Sequence, residues 1–377
     1  MDRNVDSMSL LTMSSSHRCR IIAAADSFKG CLSAVDVCTA IHDAVVDVLG
    51  SDVEVCMMPL SDGGEGFCSA VVTSLGGTQQ HVLVHDPLMR PIDATYGVVS
   101  MSAALFGKED DAVECAVVEL AKASGLCLLT ADERNPWTAT TFGTGELIRQ
   151  AITDGYRHIL VGLGGSATSD CGRGLLEALE GTHQMENCHF LVATDVDSPL
   201  CGPHGATYVF AHQKGAGEEM LALLEQRNAS FGRMLNERCG HDVTTLEGAG
   251  AAGGAGSALF SLPHCRRISG IELMLQLYPV DDEMSRASMV ITGEGCLDAQ
   301  TLMGKAPYGI AVEAQRYHVP CVALGGRVRL SEEERLCSPW TAVVEVTPPD
   351  MDDMQALLPD IAKNNIYEAV KKYLRTK

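Results

Sequence analysis

The chain has 377 residues, of which 46% are hydrophobic, and its formal net charge is −21 at pH 7. A chain longer than about 250–300 residues usually divides its hydrophobic core between domains, so two domains are expected. The acidic charge argues against a nucleic-acid partner, because a phosphate backbone would be repelled. With no run of about 18 apolar residues, the sequence predicts neither a membrane span nor a membrane partner.

Two features bear on the compartment in which the protein works. Residues 1–18 are rich in Ser and Met, and their one apolar patch, Leu10–Met13, is too short for a signal-peptide core. This segment is predicted to be a disordered extension of a cytoplasmic protein, with organelle targeting left open. The 15 cysteines form no C-x-x-C pair, and several, such as Cys56, Cys127 and Cys321, lie in apolar runs. That usage favours buried free thiols in a reduced compartment.

Short apolar runs alternate with helical patterns along the rest of the chain. The clearest helix is Ala34–Leu49, whose apolar residues follow the i, i+3, i+4, i+7 spacing behind a capping pair, Ser33 and Asp36. Strands alternating with helices predict an α/β fold with largely parallel sheets. Further helical stretches are predicted at Leu147–Thr153, Gln300–His318 and Met354–Leu374. The predicted strands are Arg20–Ala25, Val53–Met58, Ala116–Leu120, His158–Leu163, Phe190–Thr194, Met289–Thr292, Cys321–Leu324 and Ala342–Val346.

Ligands of parallel sheets bind at the carboxyl ends of strands, so residues that follow predicted strands are the candidate site residues. The strand His158–Leu163 runs into glycines and small hydroxyl residues. Backbone N–H groups around Gly164, Gly165 and Ser166 could approach an anion closely, and a helix that starts after them would add its positive dipole end. The alternative interpretation is a tight strand-to-helix turn.

Two further strand ends carry acidic residues. In the segment Ala23–Gly30, Asp26 ends a strand and is followed by Ser27 and by Lys29, a point charge that suits phosphate; the alternative is a turn with a surface lysine. In the segment Leu60–Phe67, an acidic residue precedes paired glycines, which indicates either a site loop or the capped start of a helix. The candidates in that loop are Asp62, Gly63 and Gly64.

Paired carboxylates follow the strand Phe190–Thr194. Asp195 and Asp197 leave this strand two residues apart, an arrangement that can hold a metal or accept a proton from a hydroxyl. The alternative is Asx-turn chemistry ahead of Pro199.

A second carboxylate pair, Glu294 and Asp298, is read as following the strand Met289–Thr292, with hydroxyl residues and Lys305 nearby. Carboxylates, hydroxyls and a lysine together suit Mg²⁺ and nucleotide phosphates. Arg327 follows the strand Cys321–Leu324 and is a candidate for contact with an anionic substrate.

The segment Gly248–Gly256 contains a G-x-G-x-x-G pattern through Gly248, Gly250 and Gly253. A dinucleotide fingerprint should follow a strand directly, yet no convincing strand precedes this one, so a glycine hinge or an anion-binding nest is favoured over a nicotinamide site. A Walker P-loop is absent from the sequence, because Ala306 follows Gly304–Lys305.

The chain resembles the bacterial-type glycerate kinases from about Arg20 to about Arg327. The segments that carry the resemblance, in the order seen in that family, are DSFKG, LSDGGEG, HDPLMRPIDATYG, SGLCLL, RNPWTATTFGTGEL, GLGGSATSDCG, ATDVDSPLCGP, HQKGA, GAGAAGG and TGEGCLDAQTLMGKAP. The resemblance implies ATP-dependent, Mg²⁺-assisted phosphorylation of D-glycerate, with 2-phosphoglycerate as the expected product. It also implies two α/β domains: a discontinuous Rossmann-like domain of residues 19–78 and 280–377, and an inserted domain of residues 79–279.

The resemblance also suggests roles for the candidate residues. Asp195, in the best-matched acidic motif, is assigned the base or hydroxyl-orienting role, and Lys29 is the second catalytic candidate. Glu294 and Asp298 are the candidates for Mg²⁺, with Asp197 a weaker one. The expected cofactors are ATP and Mg²⁺, the expected substrate is D-glycerate, and a homodimer is left open.

The chain departs from the family in three places. It is shorter between Leu175 and Val192, it has Cys171 and Arg173 where small residues are common, and its N-terminal extension has no counterpart. These departures keep a catalytically weakened relative with a binding or regulatory role as an alternative. An NAD-dependent oxidoreductase is the less favoured alternative, since it would explain only the glycines.

Overall fold

The structure is a computed structural model that describes residues 19–376. The predicted disordered extension, residues 1–18, lies outside the described residues. The strands, in chain order, are β1 (Arg20–Ala23), β2 (Glu54–Met57), β3 (Thr78–His85), β4 (Pro91–Ser102), β5 (Ala112–Glu119), β6 (His158–Gly162), β7 (His189–Ala193), β8 (Cys265–Ile268), β9 (Met289–Leu297), β10 (Cys321–Val328) and β11 (Ala342–Glu345).

The helices that join these strands range from single turns to six turns. They are α1 (Ala34–Leu49), α2 (Phe67–Leu75), α3 (Ala121–Ser124), α4 (Phe142–Thr153), α5 (Arg173–Leu179), α6 (Ala206–Phe210), α7 (Glu218–Cys239), α8 (Ala251–Phe260), α9 (Gly270–Leu277), α10 (Val280–Arg286), α11 (Ala306–Arg316), α12 (Glu332–Cys337), α13 (Asp353–Ala356) and α14 (Pro359–Arg375). None of the helices within residues 19–376 is long and apolar enough to cross a membrane.

The described chain divides into two compact units, and the first joins the residues up to Leu60 with those from Tyr278 onward. Its sheet has the order β11-β10-β9-β1-β2, and all its strands are parallel. The strands predicted at Arg20–Ala25, Val53–Met58, Met289–Thr292, Cys321–Leu324 and Ala342–Val346 thus share one sheet. Counted along this unit alone, the order is 2-1-3-4-5, the doubly wound pattern whose ligand site lies where the strand order reverses.

The first core lies around this sheet. Strand β1 is apolar and completely buried from Ile21 to Ala23, as expected for a parallel strand covered on both faces. Helix α1 has the bounds that its periodicity predicts. The Ser33 side chain caps it by accepting a hydrogen bond from the Asp36 amide at 3.1 Å, and its buried face packs in one cluster with α14.

The second unit, Ser61–Leu277, is built on a mixed sheet of order β3-β4-β5-β6-β7-β8. Strands β3, β4 and β5 pair antiparallel, whereas β5 to β8 pair parallel. The core of this unit gathers the buried residues of β5, β6 and β7 with those of α4, α5 and α8. Two α/β units with largely parallel sheets confirm the predicted fold class.

The observed division differs from the predicted boundaries. The first boundary was drawn after residue 78, whereas the contacts assign the loop from Ser61 and helix α2 to the second unit. Helix α2 packs on β4 and β5, so its apolar residues are buried against the sheet of the second unit.

Several elements of the structure differ from those predicted. The predicted helix Met354–Leu374 is two helices, because Pro359 disfavours helical backbone in the residue before it. The predicted helix Gln300–His318 begins only at Ala306, after Gly304, which has a φ of 107°. Of the cysteines expected to be buried, Cys321 is buried and Cys127 is exposed.

Candidate active site

The first unit has a cavity of about 370 Å³ at the point where its strand order reverses, between β1 and β9. Lys29 and Lys305 line it alongside acidic groups, and the remaining wall is largely apolar. A cavity of this size with an apolar wall and convergent charges is typical of a small-molecule site. The lining residues include Ser27, Phe28, Lys29, Glu294, Asp298, Lys305, Arg327, Val346, Asp353, Leu357 and Ala362.

The loop after β1 supplies one edge of this cavity. The Asp26 amide donates to the carbonyl of Gly293 in β9 at 2.9 Å, and the Ser27 amide donates to the Asp26 carboxylate at 2.6 Å. The Ser27 hydroxyl is buried and has no hydrogen-bond partner within residues 19–376. An unpaired buried hydroxyl costs free energy unless something else pairs with it, so Ser27 is well suited to contact a ligand.

The carboxylates on the other edge are partly engaged. Glu294 lies inside β9 rather than after a strand, since β9 extends to Leu297, and its carboxylate accepts from the Thr301 hydroxyl at 2.6 Å. Its second oxygen lies 3.9 Å from Nζ of Lys305. Asp298 follows β9 and accepts from the amides of Gln300 and Thr301, which closes a turn.

The donor set in this cavity can be tested against Mg²⁺. No group of three or more His, Cys, Asp or Glu side chains able to hold a metal occurs among the described residues. Mg²⁺, however, commonly uses one or two carboxylates together with substrate phosphates and waters. Glu294 and Asp298 line the same cavity, so the residues fit a Mg²⁺ that arrives with a nucleotide.

Arg327 lies inside β10 and lines the same cavity, but acidic neighbours engage its guanidinium. Its Nε donates to Asp353 at 2.9 Å, and its Nη1 lies 3.1 Å from Glu345. The hydrogen bond to Asp353 is the largest influence that raises the pKa of Arg327. Arg327 therefore holds the α13 region against the sheet, and only part of its charge is left for a substrate.

In the second unit, the predicted glycine loops meet backbone to backbone. A side-chain carbon added at Gly164 would lie 2.4 Å from Cα of Gly64, and one added at Gly63 would lie 2.6 Å from the carbonyl oxygen of Ala193. Gly165 has a φ of 65°, in the region that favours glycine. The loops after β6 and before α2 therefore pack together at the carboxyl end of the sheet, which is the edge that the strand rule predicts.

Asp195, just after β7, lies at the same edge. One carboxylate oxygen accepts from the Ser269 hydroxyl and from the Gly270 amide at 2.8 Å, at the start of α9. The other oxygen, Oδ2, is buried and has no partner within residues 19–376. Burial raises the pKa of Asp195 to about 6; the Ser269 hydrogen bond opposes the shift, and the nearby charge of Asp62 adds to it.

Asp197 is arranged differently from Asp195. Its side chain is 73% exposed and pairs with the guanidinium of Arg267, which also pairs with Glu247. The two aspartates that leave β7 together therefore do not form a joint carboxylate site, and the structure places only Asp195 among the glycine loops.

Two buried charged residues near these loops were not singled out from the sequence. Glu119, at the end of β5, accepts from the amides of Gly66 at 3.0 Å and Cys68 at 3.1 Å and so caps α2. Burial raises its pKa. Lys214, in the HQKGA segment, is fully buried beneath the loop after β6; burial lowers its pKa to about 7, with Asp170 opposing the shift. A carboxylate inside the apolar run Ala116–Leu120 is the signal that could have found Glu119, whereas Lys214 follows the polar residues His212 and Gln213 and has no comparable local signal.

Arg173 and the G-x-G-x-x-G segment, both noted in the sequence, take no part in the candidate site. The Arg173 side chain points to solvent and pairs with Glu177 at 2.9 Å, so it does not crowd the glycine loop. The G-x-G-x-x-G segment follows no strand. Its Gly253 lies so close to the loop after β6 that a side-chain carbon there would be 1.9 Å from the Thr168 carbonyl oxygen. The structure thus gives these glycines a packing role, with no dinucleotide fingerprint.

Comparisons with known proteins agree with this architecture. A profile of the Glycerate kinase family matches residues 21–183 and 180–376. The chain belongs to the glycerate kinase family. Membership makes the protein a kinase and removes the oxidoreductase alternative. The two matched ranges meet at residues 180–183, inside the interval Leu175–Val192, which is expected from the sequence to be shorter than in the family.

Individual relatives cover most of the chain. A glycerate kinase from Bacillus subtilis is 36% identical over 338 residues, which are 82% of this chain and 85% of the relative. A glycerate 2-kinase from Escherichia coli is 33% identical over 335 residues, 81% of this chain and 85% of the relative. A solved structure from Salmonella typhimurium LT2, a candidate glycerate kinase 2, is 33% identical with a TM-score of 0.75, covering 96% of this chain and 98% of that one.

Proposed function

We propose that this kinase transfers the γ-phosphoryl group of ATP to the 2-hydroxyl of D-glycerate, with Mg²⁺, to give 2-phosphoglycerate and ADP. Support for glycerate as the acceptor comes from the family, and support for the 2-position from the relative named glycerate 2-kinase. The observation that carries the proposal is the buried, unpartnered Oδ2 of Asp195 beside loops rich in backbone N–H groups.

Phosphoryl transfer to an alcohol needs a group that orients the hydroxyl and accepts its proton. Asp195 suits this role, because Ser269 and Gly270 hold one oxygen in place while Oδ2 stays available. A pKa near 6 leaves the carboxylate mostly unprotonated at neutral pH, yet more basic than an ordinary aspartate. The amides around Gly164–Ser166 are the proposed contact for the anionic end of the substrate.

The cavity in the first unit is the proposed nucleotide site. Its apolar wall, which includes Val346 and Leu357, suits a nucleobase, and the loop with Ser27 and Lys29 suits phosphate oxygens. Glu294 and Asp298 would hold Mg²⁺, directly or through water. When bound, Mg²⁺ would offset negative charge on the phosphates.

The product identifies the acceptor hydroxyl. The purified full chain would be incubated with ATP, Mg²⁺ and D-glycerate, and enolase would be added without phosphoglycerate mutase. Formation of phosphoenolpyruvate is expected, because enolase acts on 2-phosphoglycerate. If phosphoenolpyruvate forms only after mutase is added, the 3-hydroxyl is the acceptor and the 2-position is wrong. If neither reaction gives product, the weakened-relative alternative is favoured.

The base is tested with Asp195→Asn, which keeps the shape of the side chain and removes its basicity. We expect kcat to fall by about 10²–10⁴, the usual contribution of a general base. The matched control is Asp282→Asn, because the Asp282 side chain on α10 is 65% exposed and pairs with the neighbouring Arg286. Near-wild-type kcat in Asp195→Asn, together with loss in Glu294→Gln or Asp298→Asn, would show that the base assignment is wrong.

A further inference from the structure

Lys214 is a buried amine that touches the glycine-rich loop from beneath. It ends the short 3-10 turn His212–Lys214, and only 3% of its surface is exposed. Its Nζ donates to the hydroxyl of Ser166 and to the carbonyl oxygen of Thr168, both at 2.7 Å. Both partners belong to the loop after β6 whose glycines meet the loop before α2.

A buried ammonium group is costly, and the cost falls only if its hydrogens are well paired. A methionine of similar length would fill the same space without that cost. The two hydrogen bonds to one loop therefore indicate that the amine serves the conformation of the loop and not the packing of the core. Arg227 makes a comparable contact next to it, since its Nη2 donates to the carbonyl oxygen of Ser169 at 3.0 Å.

The direction of the hydrogen bond decides what Ser166 can do. A hydroxyl has one hydrogen to donate and two lone pairs to accept with, and in this contact the lysine amine is the donor. Ser166 Oγ therefore accepts from Lys214, and its own hydrogen stays available. No other hydrogen-bond partner of this hydroxyl occurs among residues 19–376.

We propose that Lys214 is a positioning residue, which holds the Ser166 hydroxyl so that its hydrogen is donated to a carboxylate oxygen of bound D-glycerate. This inference rests on the proposed function, in which the same unit receives glycerate with its hydroxyl at Asp195. Lys214 itself does not touch the substrate. It acts through Ser166 and through the Thr168 carbonyl, whose position sets that of the neighbouring amides.

The test is a double-mutant cycle in the full-length protein with Lys214→Met, Ser166→Ala and the double variant. Steady-state kinetics would be measured separately for D-glycerate and ATP, and the thermal unfolding midpoint would be recorded for each protein. The control is Lys108→Met, because Lys108 is exposed and its charge acts on His158, which begins β6 at the end of the strand opposite the loop. If Lys214→Met does not fold, Lys214→Gln replaces it, since its polar tip ends about one bond short of Nζ.

We expect each single variant to raise KM for D-glycerate by about 10- to 100-fold, the range of a hydrogen bond to a charged group, with KM for ATP unchanged. The double variant should be no worse than the worse single variant, because both changes remove the same contact. Losses that multiply, a rise in KM for ATP instead, or a Lys214 variant that changes only the unfolding midpoint would each overturn the inference.

Different results would overturn the proposed function and the role of Lys214. Wild-type protein that makes no phosphoglycerate overturns the proposed function and this inference with it. An active wild type whose Ser166→Ala variant keeps its KM for D-glycerate overturns the inference alone.

Discussion

The contact between the two glycine loops makes a sharp prediction for Gly164→Ala. The added carbon would lie 2.4 Å from Cα and 2.9 Å from the amide nitrogen of Gly64. Carbon atoms normally approach to about 3.5–4.0 Å, so one loop must move by more than about 1 Å. Both atoms of Gly64 are backbone, so no side chain can rotate away to relieve the clash.

The displacement should affect activity more than stability. Overpacking of this kind typically costs about 1–3 kcal/mol of folding free energy. A misplacement of about 1 Å in a site can cost about 10²-fold in rate. We therefore expect Gly164→Ala to fold, with a lower thermal unfolding midpoint, and to lose about 10²-fold in kcat/KM for D-glycerate.

The control is Gly217→Ala in the same unit. Gly217 has a φ of −85° and no atom within 4 Å of an added carbon, so neither strain nor a clash is introduced. Its kinetics should match the wild type. If Gly164→Ala keeps its kcat/KM within about twofold and its unfolding midpoint is unchanged, the loops do not constrain each other, and the reasoning from their close approach is wrong.

Four further predictions concern groups in or near the same unit. Gly165→Val should raise KM or abolish turnover without unfolding the chain, because valine strongly disfavours a φ of 65°; unchanged kinetics would argue against a role for the loop. Glu119→Gln should lower the unfolding midpoint by the equivalent of about 1–3 kcal/mol, since an amide cannot accept equally well from both amides that start α2. Burial raises the pKa of Asp195 to about 6, so kcat/KM should fall as the pH drops below about 6, and a flat profile there would exclude it as the base. Burial lowers the pKa of His158 and His189, so below about pH 6.5 the folded state binds fewer protons than the unfolded chain. In urea titrations, the contribution of these histidines to the free energy of unfolding should therefore be complete above about pH 6.5 and should be lost as the pH falls through the folded pKa of each.

The elements that the sequence predicted well are those whose residues are buried in a regular pattern. Helix α1 has the predicted bounds, because its apolar spacing and its Ser33 cap are both local signals. The eight predicted strands all occur, because each contains a short apolar run. The inner strands of the parallel ladders are largely buried, whereas β2 and β11, at the edges of their sheet, are only partly buried. Strand β3 was not predicted: much of it is exposed, and its polar start, Thr78–His81, gives no apolar run. The long helix α7 was also not predicted, because most of its surface is polar.

In the candidate site, too, local sequence identified single residues, and the fold established how they are placed together. Strand ends and glycines identified Asp195, Gly64 and Gly164 one by one. Their meeting at one edge of one sheet depends on parallel pairing between strands that are distant in sequence. In the sequence, Asp195 and Asp197 appear as equivalent members of one carboxylate pair. The fold shows that Asp197 forms an ion pair with Arg267, whereas Asp195 has a buried oxygen without a partner among the described residues.

The sequence by itself determined the α/β class and the glycerate kinase resemblance, because periodicity and ordered motifs are properties of the chain read in one dimension. The tertiary structure alone decided which charges are buried and which atoms they touch. Lys214 and Ser166 are 48 residues apart, and a hydrogen bond across that separation depends on how both segments pack. Burial, which shifts a pKa or leaves an oxygen without a partner, arises from packing that no local pattern specifies.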